Sequence, residues 1–238
     1  MSNPVYRRVL LKLSGEMLAG KQGFGIQNAS AEYLAGEVKS IYDAGVRIGI
    51  IIGAGNIFRG MQVADKGLDR VTGDYLGMLG TIINAVAFSK ILENLGCRTR
   101  AVSALPVGNI VGQYVRKQAL DWLDQGEVVI VAGGTGNPYF TTDSSAALRA
   151  AEINADVVLK GTKVDGVFDR DPAKFPDAVK FDEISFSEVI QRNLRVMDLT
   201  AMTMCKENSI PIIVFDISQP GQLRKTVLGE KIGTIVRE

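Results

Sequence analysis

Short apolar runs alternate along this chain with stretches whose apolar residues recur at helical spacing. Residues 8–13 (RVLLKL) read as a strand of buried aliphatics that ends near a lysine and runs into Ser14-Gly15-Glu16. Residues 30–44 carry Leu34, Val38, Ile41 and Tyr42 as a helical stripe, with Gly45 placed to end the helix. A second strand is predicted over 46–52, followed by Gly53-Ala54-Gly55-Asn56 and then Phe58-Arg59-Gly60. The pattern next predicts a long helix over 69–95, built on Leu79, Ile82, Ile83, Val86, Ile91 and Leu95 and closed by Gly96. A strand over 98–103 and a short helix over 115–124 carrying Trp122 follow.

The most informative stretch is 128–148, VVIVAGGTGNPYFTTDSSAAL. Val128, Val129, Ile130 and Val131 are all β-branched, too few for a helix, and bounded by glycine, so they predict a buried strand. No regular element continues through Gly133-Gly134-Thr135-Gly136-Asn137-Pro138. Thr141-Thr142-Asp143 then supplies capping chemistry for an Ala-rich helix beginning near Ser144. Strand, glycine crest and helix N-terminus together make an arrangement whose free amides and dipole receive an anion. An ordinary strand-to-helix turn is the plainer alternative. Beyond it come a strand over 156–160 (DVVLK), a turn-rich segment over 169–177, helices over 187–192 and 196–208, and closing strands over 211–215 and 232–236.

Strands separated by helices predict an α/β fold, a three-layer αβα sandwich with a mainly parallel central sheet. Ligands in such folds bind beyond the carboxyl ends of the strands. Several strands here end on Gly, Lys or Thr, so one rim gathers glycine turns and lysines. No internal repeat or linker interrupts the 238 residues, which fit one large domain.

Composition narrows the chemistry. With 27 basic and 26 acidic residues the chain is nearly neutral, which argues against nucleic acid or an anionic membrane surface as partner. No apolar run reads as long enough to span a bilayer, and no signal-peptide core opens the chain. Cys97 and Cys205 lack metal spacing and predict buried free thiols in a reducing cytoplasm. Histidine is absent, which excludes Ser-His and Cys-His nucleophiles, His-ligated zinc and an imidazole base. Phosphoryl transfer to an already anionic acceptor needs none of these, because positioning and charge neutralisation dominate it.

Individual residues sharpen this. There is no GxxxxGK[ST], and Gly53-Ala54-Gly55 fails as a dinucleotide fingerprint because a third glycine is missing and Asp74 falls in a helix. Lys12, among buried aliphatics, either neutralises a phosphoryl group or snorkels from the strand end. Ser14 and Gly15 beside it offer amides to phosphates. Arg59, after a glycine turn, is either a bidentate phosphate ligand or a solvated loop arginine. Gly73 and Gly77 each weaken their helix by roughly 1 kcal/mol against Ala, which suggests close backbone approach near Asp74. That acid either accepts from a ribose or lies exposed. Asp143 caps its helix, orients Lys12 or joins a Mg2+ shell. Thr162, Asp165, Phe168 and Asp171 suit an adenosine pocket, though Asp165-Gly166 is also a routine turn.

Taken together, Lys12-Leu-Ser-Gly-Glu16, Gly53-Ala-Gly-Asn-Ile-Phe-Arg-Gly60, Thr135-Gly-Asn-Pro-Tyr-Phe-Thr-Thr-Asp143, the segment DVVLKGTKVDGVF over 156–168, and Val196-Met-Asp-Leu199 resemble the bacterial uridylate (UMP) kinases of the amino acid kinase fold. The resemblance covers nearly the whole chain. It implies transfer of phosphate from ATP, with Mg2+, to UMP. Lys12, Arg59 and Asp143 would be catalytic. ATP would be held by Lys12, Ser14, Gly15, Gly55, Arg59, Thr162, Phe168 and Asp171, and UMP by Ala54, Asp74, Thr135, Gly136, Asn137, Pro138, Tyr139, Phe140, Thr141 and Thr142. The acceptor half would span about residues 1–150 and the ATP half 151–238 of a single domain.

The family also implies a homohexamer, UTP and GTP as effectors, and a GTP-linked loop here formed by Gly20, Lys21, Gln22, Gly23, Phe24 and Gly25. No dedicated protein metal site is expected. One position departs from the family pattern. Ala54 stands where many members have a third consecutive glycine, so its methyl group must fit beside the UMP phosphate or shift the loop. Rival readings are a kinase of the same fold acting on carbamate, acetylglutamate or aspartate, a non-catalytic nucleotide-binding or metal-oxoanion storage protein, and a purely structural domain.

Overall fold

The central strand is apolar on both sides because it is covered on both. The structure is a computed structural model that describes residues 3–58 and 67–238. In β1 (Arg8–Leu13), Val9, Leu11 and Leu13 enter one core and Leu10 the other. This is the period-two alternation of a strand between two layers. β1 pairs in parallel with β2 (Arg47–Ile52) on one side and with β6 (Val157–Thr162) on the other. Outward from β2 lie β5 (Val128–Ala132), β3 (Thr99–Ser103) and the two-residue β4 (Gly112–Gln113). Outward from β6 lie β10 (Ile212–Asp216), β11 (Thr234–Val236) and β9 (Glu183–Ile184). Within this nine-stranded sheet only the β10–β11 pairing is antiparallel. A separate hairpin joins β7 (Val167–Phe168) to β8 (Lys180–Phe181).

One face of the sheet is covered by α2 (Asn28–Tyr42), α3 (Arg70–Asn94) and α8 (Gln222–Val227), with the short α1 (Gly15–Ala19) at its edge. The other face carries α4 (Arg116–Asp124), α5 (Thr142–Glu152), α6 (Phe186–Gln191) and α7 (Leu199–Glu207). The three-layer sandwich expected from the alternation of elements is therefore present.

The differences from expectation are local. Thr141 is the residue that caps α5, accepting from the amides of Asp143 and Ser144, so the helix starts two residues early and Asp143 sits in its first turn. The reading of Asp143 as the cap is corrected accordingly. β6 runs on through Gly161 to Thr162 because β10 continues to pair with it, Phe215 opposite Gly161 and Asp216 opposite Thr162. α1, which Ser14 caps, and α8 were not anticipated, nor were the two-residue strands. Elements so short carry no measurable periodicity.

One expectation about the membrane is also corrected. By length and composition alone α3 could cross a bilayer, its most apolar stretch reaching a mean hydropathy of 1.5. Half of that stretch is buried inside this domain, where Ile82, Ala85, Phe88 and Leu92 join the core. Such burial accounts for the apolar residues on the inner side of the helix without a lipid phase.

Candidate active site

β1 and β6 are neighbours in parallel register, with Lys12 directly opposite Lys160. Both side chains follow the face of Leu10 and Val158, toward α5. α5 begins above these strand ends because the crest after β5 turns the chain there, and its first turn presents Asp143. Lys12 Nζ lies 2.6 Å from Asp143 Oδ1, and Lys160 Nζ lies 2.9 Å from Asp143 Oδ2. Lys160 also donates to the carbonyl of Val196 at 2.5 Å. All three charged side chains are at most 16% exposed.

Two cations thus share one anion, so these three ion-paired groups carry one positive charge in excess at a nearly dry strand end, with Asp198 the next acid to act on Lys160. Burial pushes the Asp143 carboxyl up, but Lys12 and then Lys160 outweigh it and hold its pKa below the ordinary carboxylate value. Burial also draws the Lys160 ammonium below the usual lysine value, against the pull of Asp143. Each carboxylate oxygen of Asp143 lies at ion-pair distance from one lysine, so Asp143 ties the ends of β1 and β6 together through Lys12 and Lys160. Among the described residues no three acidic or sulfur side chains cluster as a metal cage.

Asp198 ties the starts of two helices together. It caps α7 by accepting from the Ala201 amide at 2.8 Å, and it accepts from the hydroxyls of Ser144, at 2.9 Å, and Thr141. Behind this cluster Cys205 is fully buried, its thiol pushed up to about 12 by burial and then by Asp143. Cys205 and Cys97 are both free buried thiols, as expected.

Two glycine turns meet beside Lys12. The amide of Gly53 donates to the carbonyl of Leu13 at 2.9 Å, joining the ends of β2 and β1. A β-carbon at Gly15 would stand 2.3 Å from the carbonyl oxygen of Gly53, so only glycine permits this approach. Ser14 caps the turn, its Oγ accepting from the amide of Glu16 at 3.3 Å. The methyl group of Ala54, which had to fit beside a phosphate, is directed at α3. A β-carbon at Gly80 would lie 2.9 Å from it, so the glycine in α3 leaves the space that the missing glycine at 54 would have left.

A cavity of about 180 Å³ opens between this turn, α3 and the crest. Five residues of the UMP reading, Ala54, Asp74, Phe140, Thr141 and Thr142, line it, together with Gly55, which was read as an ATP contact, and with Phe58, Gly73, Gly77, Met78, Thr81 and Gly134, which neither reading included. Thr135, Gly136, Asn137, Pro138 and Tyr139 are not among its lining residues and instead build the loop above it. Gly133, Gly134 and Gly136 all adopt the left-handed conformation, and Tyr139 does so without being glycine. Asp74 holds that residue in place: its Oδ2 accepts from the Tyr139 amide at 2.7 Å. Arg70, one turn earlier, donates to both Asp74 oxygens and stacks 5.4 Å from the Tyr139 ring. Asp74 is therefore neither the exposed acid of the plainer reading nor free to serve a ribose alone. It orders the loop. At the other end of the crest the Gly133 amide donates to Thr81 Oγ1 at 2.8 Å.

On the opposite side of Lys12, Thr162 ends β6 and its hydroxyl donates to the carbonyl of Val164 at 2.6 Å. Phe168 is half-buried in β7, and Asp171 is exposed, its Oδ1 accepting from the Ala173 amide at 3.0 Å. The three follow one another beyond the carboxyl end of β6. Gly20, Lys21 and Gln22 form a single 3-10 turn, and Gly23, Phe24 and Gly25 return the chain to the Gly53–Asn56 turn, where the amide of Gly25 donates to the carbonyl of Asn56 at 2.8 Å. Arg59 lies outside the described residues.

Sequence reasoning missed Lys160, Asp198 and Thr81. For Lys160 the signal was available, since it ends an apolar strand just as Lys12 does. Asp198 lay within the Val196–Leu199 motif of the resemblance without a role assigned to it, and Thr81, which acts through a partner distant in sequence, left no signal.

The sequence profile of the amino acid kinase family matches residues 7–216. A uridylate kinase of Bacteroides thetaiotaomicron is 51% identical over 231 residues, which cover 97% of this chain and 98% of that one. The UMP kinase of Bacillus anthracis superposes with a TM-score of 0.95 at 38% identity, over 98% of this chain and 96% of its own. The UMP kinase of Ureaplasma parvum does so at 0.93 and 34% identity, over the full length of both. The chain belongs to the amino acid kinase family, and within it to the bacterial uridylate kinases.

Proposed function

We propose that this protein transfers the γ-phosphate of ATP to UMP, giving ADP and UDP as a step of pyrimidine nucleotide synthesis. The observation that carries the reading is the Lys12–Asp143–Lys160 cluster, with its excess positive charge, set beside the glycine-walled acceptor cavity in a chain of this family. A phosphate oxygen of UMP attacks the γ-phosphorus in line, and the bond from that phosphorus to the β,γ-bridging oxygen breaks as ADP leaves. The attacking oxygen is already anionic, so no general base is needed, in keeping with a chain that has no histidine. What the protein must do is hold two anions end to end and neutralise the charge between them.

Lys12 supplies the cation nearest that charge, and Asp143 fixes its direction. The turns at Gly15 and Gly53–Gly55 bring backbone to the phosphates from the two sides. A divalent cation is typical of the family, and here Mg2+ enters with the ATP phosphates as part of that substrate. By resemblance Arg59 adds a bidentate phosphate contact, Ser14 and Gly15 cradle ATP, and Thr162, Phe168 and Asp171 take its adenosine end. UMP lies against Ala54, Asp74 and the residues from Thr135 to Thr142. The acceptor half would then span about residues 1–150 and the ATP half 151–238. We further assign the protein to the cytoplasm, where its buried thiols stay reduced, as a homohexamer that responds to UTP and, through Gly20 to Gly25, to GTP.

The test is a coupled assay of ADP release with UMP, CMP, dUMP and AMP as acceptors. Turnover that requires UMP and prefers it over the others is expected. ADP release indifferent to added UMP, as a storage or binding protein would give, overturns the reading.

A further inference from the structure

Two buried primary amides face each other beneath the acceptor turn. Asn56 is 1% exposed and Asn84 fully buried, and between them all four side-chain N–H groups are used. Asn84 Nδ2 donates to the carbonyl of Gly53 at 2.8 Å and to Asn56 Oδ1 at 2.8 Å. Asn56 Nδ2 donates to Asn84 Oδ1 at 2.9 Å and to the carbonyl of Gly25 at 2.8 Å. The Gly25 amide closes a second bond, to the carbonyl of Asn56, at 2.8 Å. The same two acceptors bear on Gly15, where a β-carbon would meet Asn56 Oδ1 and Gly53 O, each at 2.3 Å. One closed network therefore touches the Gly15 turn, the Gly53–Gly55 turn, the middle of α3 and residue 25.

We infer that Asn84, acting through Asn56 and the carbonyl of Gly53, is a positioning residue for phosphoryl transfer that fixes the spacing of the two phosphate turns and ties it to residue 25. The inference rests on the proposed reaction. Core packing alone does not call for this pair, since an aliphatic pair would fill the space without burying amides. A network with every donor satisfied is stiff, and it loses that stiffness when one donor is removed. A displacement near 1 Å between reacting groups is worth roughly a hundredfold in rate, so a loosened spacing acts on turnover before it acts on binding.

The variant Asn84→Asp keeps the shape and leaves at most one donor, the O–H of a protonated carboxyl, in place of two. Expected is a kcat at least tenfold lower per folded molecule, with KM for UMP and for ATP each within threefold of the unaltered protein. A folded variant with kcat within twofold, or one that changes KM for UMP alone, overturns the inference. A second measurement uses the unaltered protein, so it does not depend on the variant folding. Hydrogen exchange is followed in peptides covering residues 20–27, with and without saturating UMP. Slower exchange there with UMP bound is expected, and unchanged exchange while the acceptor loop becomes protected overturns the link. The unaltered enzyme run in parallel separates the two claims. Its failure to phosphorylate UMP would sink the proposed function, whereas normal turnover in both proteins sinks only this inference.

Discussion

Lys12 and Lys160 stand side by side on adjacent parallel strands and divide one carboxylate between them, an oxygen of Asp143 to each, at 2.6 and 2.9 Å. Lys160 is what leaves Lys12 with charge to spare. Were it absent, Asp143 would pair with Lys12 alone and the excess would vanish. Lys12→Ala is expected to lower kcat by about two to three orders of magnitude, the usual effect of deleting a group that stabilises transition-state charge, with KM for UMP little changed. Lys160→Met is expected to lower kcat by about tenfold, and to add little in an Asp143→Asn background, because its effect passes through that carboxylate. Steady-state kinetics on the single and double variants decide this. Full kcat in Lys12→Ala removes the residue from the mechanism, and additive losses in the double variant disconnect Lys160 from Asp143.

Stability should carry the mark of Asp143 at acid pH. The lysines hold its folded pKa below the ordinary 3.8 despite burial. A carboxyl depressed on folding stabilises in full above its unfolded value and loses that contribution as pH falls through the folded one. Urea unfolding of the unaltered protein and Asp143→Asn is therefore expected to show a constant gap from pH 7 down to about 4, narrowing below that. A gap that persists unchanged under more acid conditions would mean that the carboxylate is not the stabilising form.

Asp74 holds the amide of Tyr139, a non-glycine residue in the left-handed conformation. A hydrogen bond to a charged group contributes roughly 1.5–3 kcal/mol, and Asn in its place keeps an acceptor but loses the charge and the Arg70 pair. Asp74→Asn is expected to raise KM for UMP by about tenfold, or roughly 1.4 kcal/mol, just under that range because an acceptor remains, with KM for ATP within twofold. Initial-rate measurements with each substrate varied are the check. An unaltered KM for UMP would take Asp74 out of acceptor binding.

The outer side of α3 exposes Tyr75, Leu79, Ile83 and Val86, between 39% and 51% accessible, at helical spacing along one stripe. Burying such side chains stabilises by about 1.5–3 kcal/mol each, so the stripe is expected to pack on a second copy of the chain. Sedimentation should find the unaltered protein larger than a monomer, and Ile83→Asp should shift it to smaller species. A monomeric unaltered protein would end this reading.

The large pattern of the fold was legible because its causes are local. β1, β5 and β6 are dominated by aliphatics on both faces, α2 repeats at 3.6 residues and α3 is a long apolar helix on both its sides, so alternation alone assigns the sandwich. α1, α8 and the two-residue strands were not legible, since none is long enough to repeat a pattern twice, although α6, no longer than α8, was anticipated. In the site, Lys12 was conspicuous as a charge among aliphatics, and its sequence-distant partner Asp143 was named because the glycine crest places a helix start near it. Thr81 and Asn84 were invisible for a different reason. Their contacts span 52 positions to Gly133 and 31 to Gly53, and a polar residue in a helix looks the same whether it faces water or the backbone of a distant turn. Ala54 shows the converse. Its departure from the family pattern was plain, but the room for its methyl group depended on Gly80, a residue that only the packing of α3 brings opposite.

α3 is a party wall. Its inner side meets the acceptor turn through Gly80 and Asn84, and its outer side is the exposed stripe, with nothing between the two but the helix itself, roughly 10 Å across. A neighbour leaning on the outside would therefore press on the room within, and no substitution along the stripe is remote from the chemistry.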